Sequence, residues 1–533
     1  MKLQRYLNQQ GIHGHPYKLF YGNFKDLNRS TRQAQSQPIN LTHKIVSRVL
    51  PFLDQTVKSY GKISFYWAGT CPVVNIMDPE LIREVVSTKA GHFAKPEQNP
   101  STKLFITGLV FYDGEKWAKH RRILNPAFHQ ENLKRMVPAM STSCSELMSR
   151  WEKLVGSEGS REIDVWPELE NLTSDVISRT AFGSSYREGM KIFQLQKEQA
   201  ELFFKASNSV YFPGSWLLPT KDNIRRKEIN REVRTILRGM IEKRQKAMTM
   251  GDAIDLLGLL LESNLKESQE NGNSKNMGMT IDDVIEECKL FYFAGQESTS
   301  VLLTYTMVVL SMHPDWQEKA REEVLQVFGK NKPDVEGLNH LKIMTMILSE
   351  VLRLYPPGVL LIRRTFKAMK VGQFTLPPGV QLFIPILLIH HDPDIWGEDV
   401  EEFKPERFSE GVAKAANNQL AYFPFGFGPR ICIGLNFTLL EAKLAMAMIL
   451  QRFSFELSPS YAHAPYAVIT LQPQQAVPLC TLLYLSAPRS LCYRLSVPHQ
   501  RSPKRSEPLV NQILSFLGQL HCCDYCALGI VGY

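Results

Sequence analysis

A mainly α fold with small β-sheets is predicted for this chain of 533 residues by three observations. Apolar residues recur at three- and four-residue intervals through Ile192–Ala206 and Asn230–Met248, the pattern of amphipathic helices. The stretch from Thr280 to Met312 is free of proline and of long polar breaks, and it is apolar nearly all round, which predicts one long buried helix. Strand signals are short and sparse. A composition of 44% hydrophobic and 22% charged residues is that of an ordinary globular protein and excludes collagen-like, disordered and disulfide-scaffold chains.

Taken in order, the opening segment carries Lys2, Arg5 and Lys18 but no apolar run, so it is not a secretory signal. Strands are predicted at Lys62–Tyr66 and Val73–Ile76, then helices to Met248. Asn208–Pro219, with Pro213, Gly214 and Pro219, breaks them as an unusually apolar loop. Polar, Gly/Asn-rich Ser268–Met279 is a second loop. Thr280 and Asp283 then have capping-box spacing, Pro314 closes the run, and the intervening helix should be about 45 Å long at 1.5 Å per residue. Further strands are predicted at Lys370–Leu376, Gln381–Ile384 and Val468–Leu471, and periodicity is lost from Leu479. The longest apolar runs, such as Gln381–Ile389, fall short of the ~18 residues that span a bilayer, so no transmembrane anchor is predicted.

A net charge of +9 is mild, and only Arg489–Arg505 is locally basic, so no nucleic-acid partner is predicted. Nine scattered cysteines do not form a secreted disulfide framework. The tail cluster His521–Cys526 holds a single Cys-x-x-Cys without a second half-site, too little for a zinc or redox centre.

The informative cysteine lies in Phe425-Gly-Phe-Gly428-Pro-Arg430-Ile-Cys432-Ile-Gly434. A thiolate in an apolar site needs its charge held, and glycines permit a tight loop with backbone N–H groups close to sulfur. The apolar run after Gly434 supplies a helix whose N-terminus points at the sulfur. Arg430 is suited to pair with a carboxylate, and Phe425 to pack beside a flat ligand. Presenting a thiolate to haem iron is the task these residue types fit, with Cys432 as the metal ligand.

Here the chain resembles the cytochrome P-450 superfamily of haem-thiolate monooxygenases. The resemblance implies that family's fold, with haem between the long central helix and the cysteine-loop helix. Glu350 and Arg353 match its Glu-x-x-Arg, and Arg407 in Phe403–Phe408 matches the arginine that completes a buried structural triad. Trp117 and Arg121 resemble the pair that addresses a haem propionate, and Arg363, with Arg364 as competitor, lies where another propionate partner is found. Ala294-Gly295-Gln-Glu297-Ser298-Thr299 resembles the oxygen-activation motif: small residues at 294 and 295 admit a ligand, and Glu297, Ser298 and Thr299 supply a proton relay, with serine where threonine is commoner. By the same resemblance, Phe293, Val359, Leu360, Leu361 and the turn near Tyr461–Pro465 line a substrate pocket.

The resemblance covers roughly residues 10 to 478, and its texture is that of the plant clan containing secologanin synthase and related terpenoid oxidases. It divides the chain into a hinge remnant (1–30), a catalytic domain (31–478) and a divergent tail (479–533), loosely attached if structured at all. It implies haem b as cofactor and a small lipophilic substrate with O2. NADPH is used only through a partner NADPH-cytochrome reductase, since no G-x-G-x-x-G loop is present. The location implied is the cytosolic face of the endoplasmic reticulum membrane. Two other readings stay open at this point: a reductase-independent haem-thiolate lyase or isomerase, and a non-catalytic degenerate member.

Overall fold

A computed structural model describes residues 2–183, 186–207, 214–248, 255–270, 278–416 and 421–484. The chain divides into a unit ending at Tyr484 and a second unit, Leu485–Tyr533, which lies outside the described residues with the basic stretch and the His521–Cys526 cluster. Half of the first predicted loop, residues 208–213, also lies outside them. In the second, the helix Leu256–Glu270 extends past Ser268 before the described residues break off.

The long helix runs Ile281–Met312. Thr280 Oγ1 accepts the Asp283 N–H at 3.1 Å while Asp283 Oδ2 accepts the Thr280 N–H at 3.1 Å, the predicted reciprocal cap. His313 ends it, and Pro314 opens the helix Pro314–Phe328. Val301, Leu302, Leu303, Val308 and Leu310 are fully buried, as a helix apolar on every side requires. Helix Val165–Phe182 lies along it. The cysteine-loop helix, Leu435–Arg452, packs between it and helix Gln130–Val155.

The β portion sits to one side over a separate apolar core. Its five strands are ordered His13–Gly14, Ile63–Ala68, Cys71–Ile76, Gln381–Ile384 and Leu361–Arg364. Val73 faces Gln381 in parallel register and Ile362 faces Phe383 in antiparallel register. The supposed hinge remnant belongs to this layer: Leu7 and Ile12 are fully buried in its core and His13 pairs with Ser64. At the other end the boundary at 478 also moves. Pro478–Leu483 is the central strand of a sheet with Ser160–Asp164 and Phe453–Leu457. A strand whose partners lie elsewhere in the chain leaves little local signal of its own.

Predicted Lys370–Leu376 is a hairpin, Met369–Val371 with Phe374–Leu376, reversed at Gly372 with φ +53°. Predicted Val468–Leu471 is mostly the turn of another hairpin, Pro465–Ala467 with Leu471–Pro473.

A buried ionic cluster fastens the loops to the core. Arg353 makes two 2.8 Å contacts to the Glu350 carboxylate, and both side chains are fully buried. Its remaining N–H groups donate to the carbonyls of His390, Val400 and Glu402. Arg407 stands 3.5 Å from Glu350 and 2.7 Å from Asp399. Burying charge is tolerable at Arg353 because each of its guanidinium nitrogens has an acceptor.

Candidate functional site

The cysteine loop is held by its own backbone. Cys432 N–H donates to the Phe425 carbonyl at 2.9 Å and Ile431 N–H to that of Gly428 at 3.0 Å. Gly426 and Gly428 have φ of +74° and +73°. At Gly428 a Cβ would also overlap the Val86 carbonyl oxygen and stand 3.0 Å from Ser87 Cα, so only glycine fits. Gly434 differs, with φ −87° and open space beside it as far as Cys432 Sγ at 3.8 Å.

Cys432 Sγ accepts backbone N–H groups from Gly434 and Leu435 at the start of the cysteine-loop helix. Burial raises its pKa, and these donors with the nearby Arg121 pull it back. Yet the side chain is accessible. Accessible and desolvated together describe a sulfur facing an internal cleft rather than bulk water.

Beside the loop stands a group of cations. Arg430 stacks over Trp117 at 4.5 Å, donates to the Tyr112 carbonyl and pairs with Asp113 at 2.5 Å. Arg121 donates to the Ile431 carbonyl at 2.9 Å. Arg363 is 3% exposed, its Nε has no partner, and burial with Arg430 nearby pushes its pKa down to about 10. Lys95 is held well below its ordinary pKa by burial and by Arg363 and Arg430. Along Leu361–Arg364, Arg363 turns inward while Arg364 pairs with Glu97 on the outside. Desolvated cations with an orphaned guanidinium N–H call for an anionic ligand, so a haem with its two propionates fits these residues. Lys95 and Asp113 were missed by sequence reasoning, since nothing in Phe93–Pro96 or before Trp117 distinguishes them locally.

The hexapeptide on the central helix is divided among three neighbours. Ala294 is accessible, and Ser298 on the same face donates Oγ–H to the Ala294 carbonyl at 2.8 Å. Gly295 instead faces helix Val165–Phe182, where a Cβ would stand 2.7 Å from Ile177 Cδ1. It serves helix packing, which corrects its expected role at the ligand. Glu297 is 7% exposed and accepts from Thr470 Oγ1 at 2.7 Å and from Gln472 Nε2, not from Ser298, as a direct relay would need. Burial raises its pKa. Thr299 is fully buried and its Oγ1 stands beside the Glu441 carboxyl, short of full hydrogen-bond geometry. Glu441, missed in the sequence, lies on the cysteine-loop helix and is pushed well above the carboxylate range by burial. This contact joins the central helix, which carries the Ala294–Ser298 face, to the helix that begins at the cysteine loop.

Of the expected pocket residues, Phe293 packs edge-on to Phe105 at 4.9 Å. Val359 and Leu360 join the helical core, whereas Leu361, half-buried at the start of its strand, packs against the β-sheet core. Tyr461 Oη bonds His463 Nδ1 at 2.8 Å.

The family model described as Cytochrome P450 matches residues 39–474. Cytochrome P450 CYP72A616 of Paris polyphylla is 62% identical over 475 residues, 89% of this chain and 92% of the relative. Cytochrome P450 72A397 of Kalopanax septemlobus is 59% identical over 480 residues, 90% of this chain and 92% of the relative. The 11-oxo-beta-amyrin 30-oxidase of Glycyrrhiza uralensis is 55% identical over 483 residues, with the same coverage of 90% and 92%.

Proposed function

Because the chain belongs to the cytochrome P450 family, among plant relatives of the CYP72 group, we propose that Cys432 is the thiolate ligand of its haem and that its substrate is a lipophilic, terpenoid-like molecule. Monooxygenase chemistry and a cysteine-ligated haem belong to the family as a whole. In this reading one atom of O2 enters the substrate, and a partner reductase delivers the electrons of NADPH. The triterpenoid class is supported by the relative named 11-oxo-beta-amyrin 30-oxidase and by the apolar surroundings of Phe105 and Phe293.

Haem, when bound, supplies dioxygen activation, which a thiolate ligand favours by pushing electron density toward O–O cleavage. The chain's residues prepare the place for it. Gly426 and Gly428 shape the loop, and the N–H groups of Gly434 and Leu435 hold sulfur charge that burial alone would suppress. Lys95, Arg121, Arg363 and Arg430 would hold the propionates. Ala294 leaves room above the cleft, and Ser298, whose proton is committed to the Ala294 carbonyl, offers lone pairs as an acceptor. Glu297 retains its proton to higher pH than a free carboxyl and is the reserve from which Ser298 is resupplied through intervening water.

Attachment to the endoplasmic reticulum membrane at its cytosolic face fits the exposure of Leu19, Phe20, Leu217 and Leu218, each more than half exposed. Among the described residues no helix is long and apolar enough to cross a membrane.

The observation that carries the proposal is Cys432, accessible yet desolvated, beside a group of cations short of anions. The test is the ferrous–CO spectrum of purified holoprotein. Wild type should show the thiolate-type band and Cys432→His should lose it while remaining folded; an unchanged band in the variant would mean that another residue ligates the iron.

A further inference from the structure

Helix Tyr186–Ser207 turns a row of apolar side chains toward the central helix, and two glutamines interrupt that row. Gln196 is 4% exposed; its Nε2 donates to the Lys289 carbonyl at 2.8 Å, and its Oε1 has no partner. Gln199 is 3% exposed, and neither its Nε2 nor its Oε1 has a partner. An amide buried without hydrogen bonds destabilises the fold, and an apolar residue of the same size would not. A fold that keeps such a group leaves its donor and acceptor available to something that enters.

Position along the helix shows where that amide lies. Residues three and four apart share a face, so Gln196, Gln199 and Phe203 form one stripe. Gln196 fixes one end of the stripe to the central helix at Lys289. Phe203 fixes the other: its ring meets Phe105 at 5.4 Å, and Phe105 meets Phe293 at 4.9 Å, next in sequence to accessible Ala294. Gln199 is therefore one helical turn and two ring contacts away from the cleft face of the central helix. The path between is apolar and aromatic, with the amide at its far end.

From this arrangement we infer that Gln199 is a specificity-determining residue that hydrogen-bonds an oxygen substituent, a hydroxyl or oxo group, on an otherwise hydrocarbon polycyclic substrate, at the end remote from the carbon presented to the cleft. An amide offers both a donor and an acceptor, which matches a neutral hydroxyl and needs no counter-charge. Recognition of this kind selects strongly, because an analogue lacking the oxygen leaves the buried amide unpaired. The inference rests on the terpenoid reading above and adds that the substrate arrives already oxygenated. The reaction that supplies it is therefore an oxidation or an oxidative cyclisation of a terpenoid hydrocarbon.

The test is a titration of holoenzyme, followed by the substrate-induced change in its haem spectrum, with two probes: the pentacyclic alcohol β-amyrin and the same hydrocarbon skeleton without its hydroxyl. Wild type should bind the alcohol about tenfold more tightly, equivalent to about 1.4 kcal/mol. Gln199→Leu should lose that preference, with affinity for the deoxy compound unchanged. Its ligand-free melting temperature should rise, since an orphaned polar group has been removed; Gln199→Met, unbranched and of similar length, should do the same if leucine disturbs the packing. Retention of the preference in either folded variant, or a fall in melting temperature in both, overturns the assignment. Equal binding of both probes by wild type also removes Gln199 but leaves the terpenoid reading standing. Failure of wild type to bind either probe overturns both.

Discussion

The cysteine loop and the hexapeptide of the central helix are both short contiguous motifs, but they work in opposite ways. In Phe425–Gly434 the backbone does the positioning: two glycines at positive φ and two internal hydrogen bonds fix the sulfur before any distant residue is considered. In Ala294–Thr299 the backbone is an ordinary helix, which sends successive side chains about 100° apart. Gly295 goes to Ile177, Glu297 to Thr470 and Gln472, Ser298 to the cleft, and Thr299 to Glu441. A loop motif carries its geometry with it, whereas a helical motif takes its roles from whatever packs against each face.

If the loop is fixed by its backbone, its glycines should differ sharply in tolerance. Gly428→Ala forces a left-handed φ on alanine and drives Cβ into the Val86 carbonyl, so this variant should yield little or no holoprotein. Gly434→Ala, at φ −87° with space beside it, should incorporate haem nearly as wild type does. Haem-to-protein absorbance ratios measure both, and equal behaviour of the two variants would break the contrast.

A smaller effect should appear at Gly295. Overpacking against Ile177 costs about 1–3 kcal/mol, and the better helix propensity of alanine returns about 1 kcal/mol. Gly295→Ala should therefore melt slightly below wild type, and adding Ile177→Val should restore it. Restoration would assign the glycine to helix packing. An altered substrate-binding spectrum at unchanged stability would return it to the ligand.

The finest distinction is a slope rather than a level. Glu441 holds its proton more tightly folded than unfolded, so its contribution to stability is complete below the ordinary carboxyl pKa of 4.5 and is lost as pH rises from there toward the raised folded value. Glu441→Gln does not titrate and lacks that loss. Its melting temperature relative to wild type should climb between about pH 5 and pH 8; a constant difference would show that the carboxyl titrates normally. Glu297, raised in the same direction, remains in both proteins and drops out of the comparison.

What the sequence determined alone is what local chemistry determines. The capping pair Thr280 and Asp283 and the stop at Pro314 bound the long helix, and its apolar circumference buried it. Glu350 and Arg353, three residues apart on a helix, had to meet. The cysteine loop was readable because glycine spacing encodes backbone conformation directly. Tertiary structure alone decided the rest, because it depends on partners remote in the chain. Pro478–Leu483 became a central strand only through Ser160–Asp164 and Phe453–Leu457. Pairing of Leu361–Arg364 with Gln381–Ile384 turned Arg363 inward and left Arg364 on the outside with Glu97, since a strand's faces are set by its register. Lys95, Glu441 and Gln199 carry no local mark at all: a cation, an acid and an amide become significant only when folding removes water from them and leaves them short of partners.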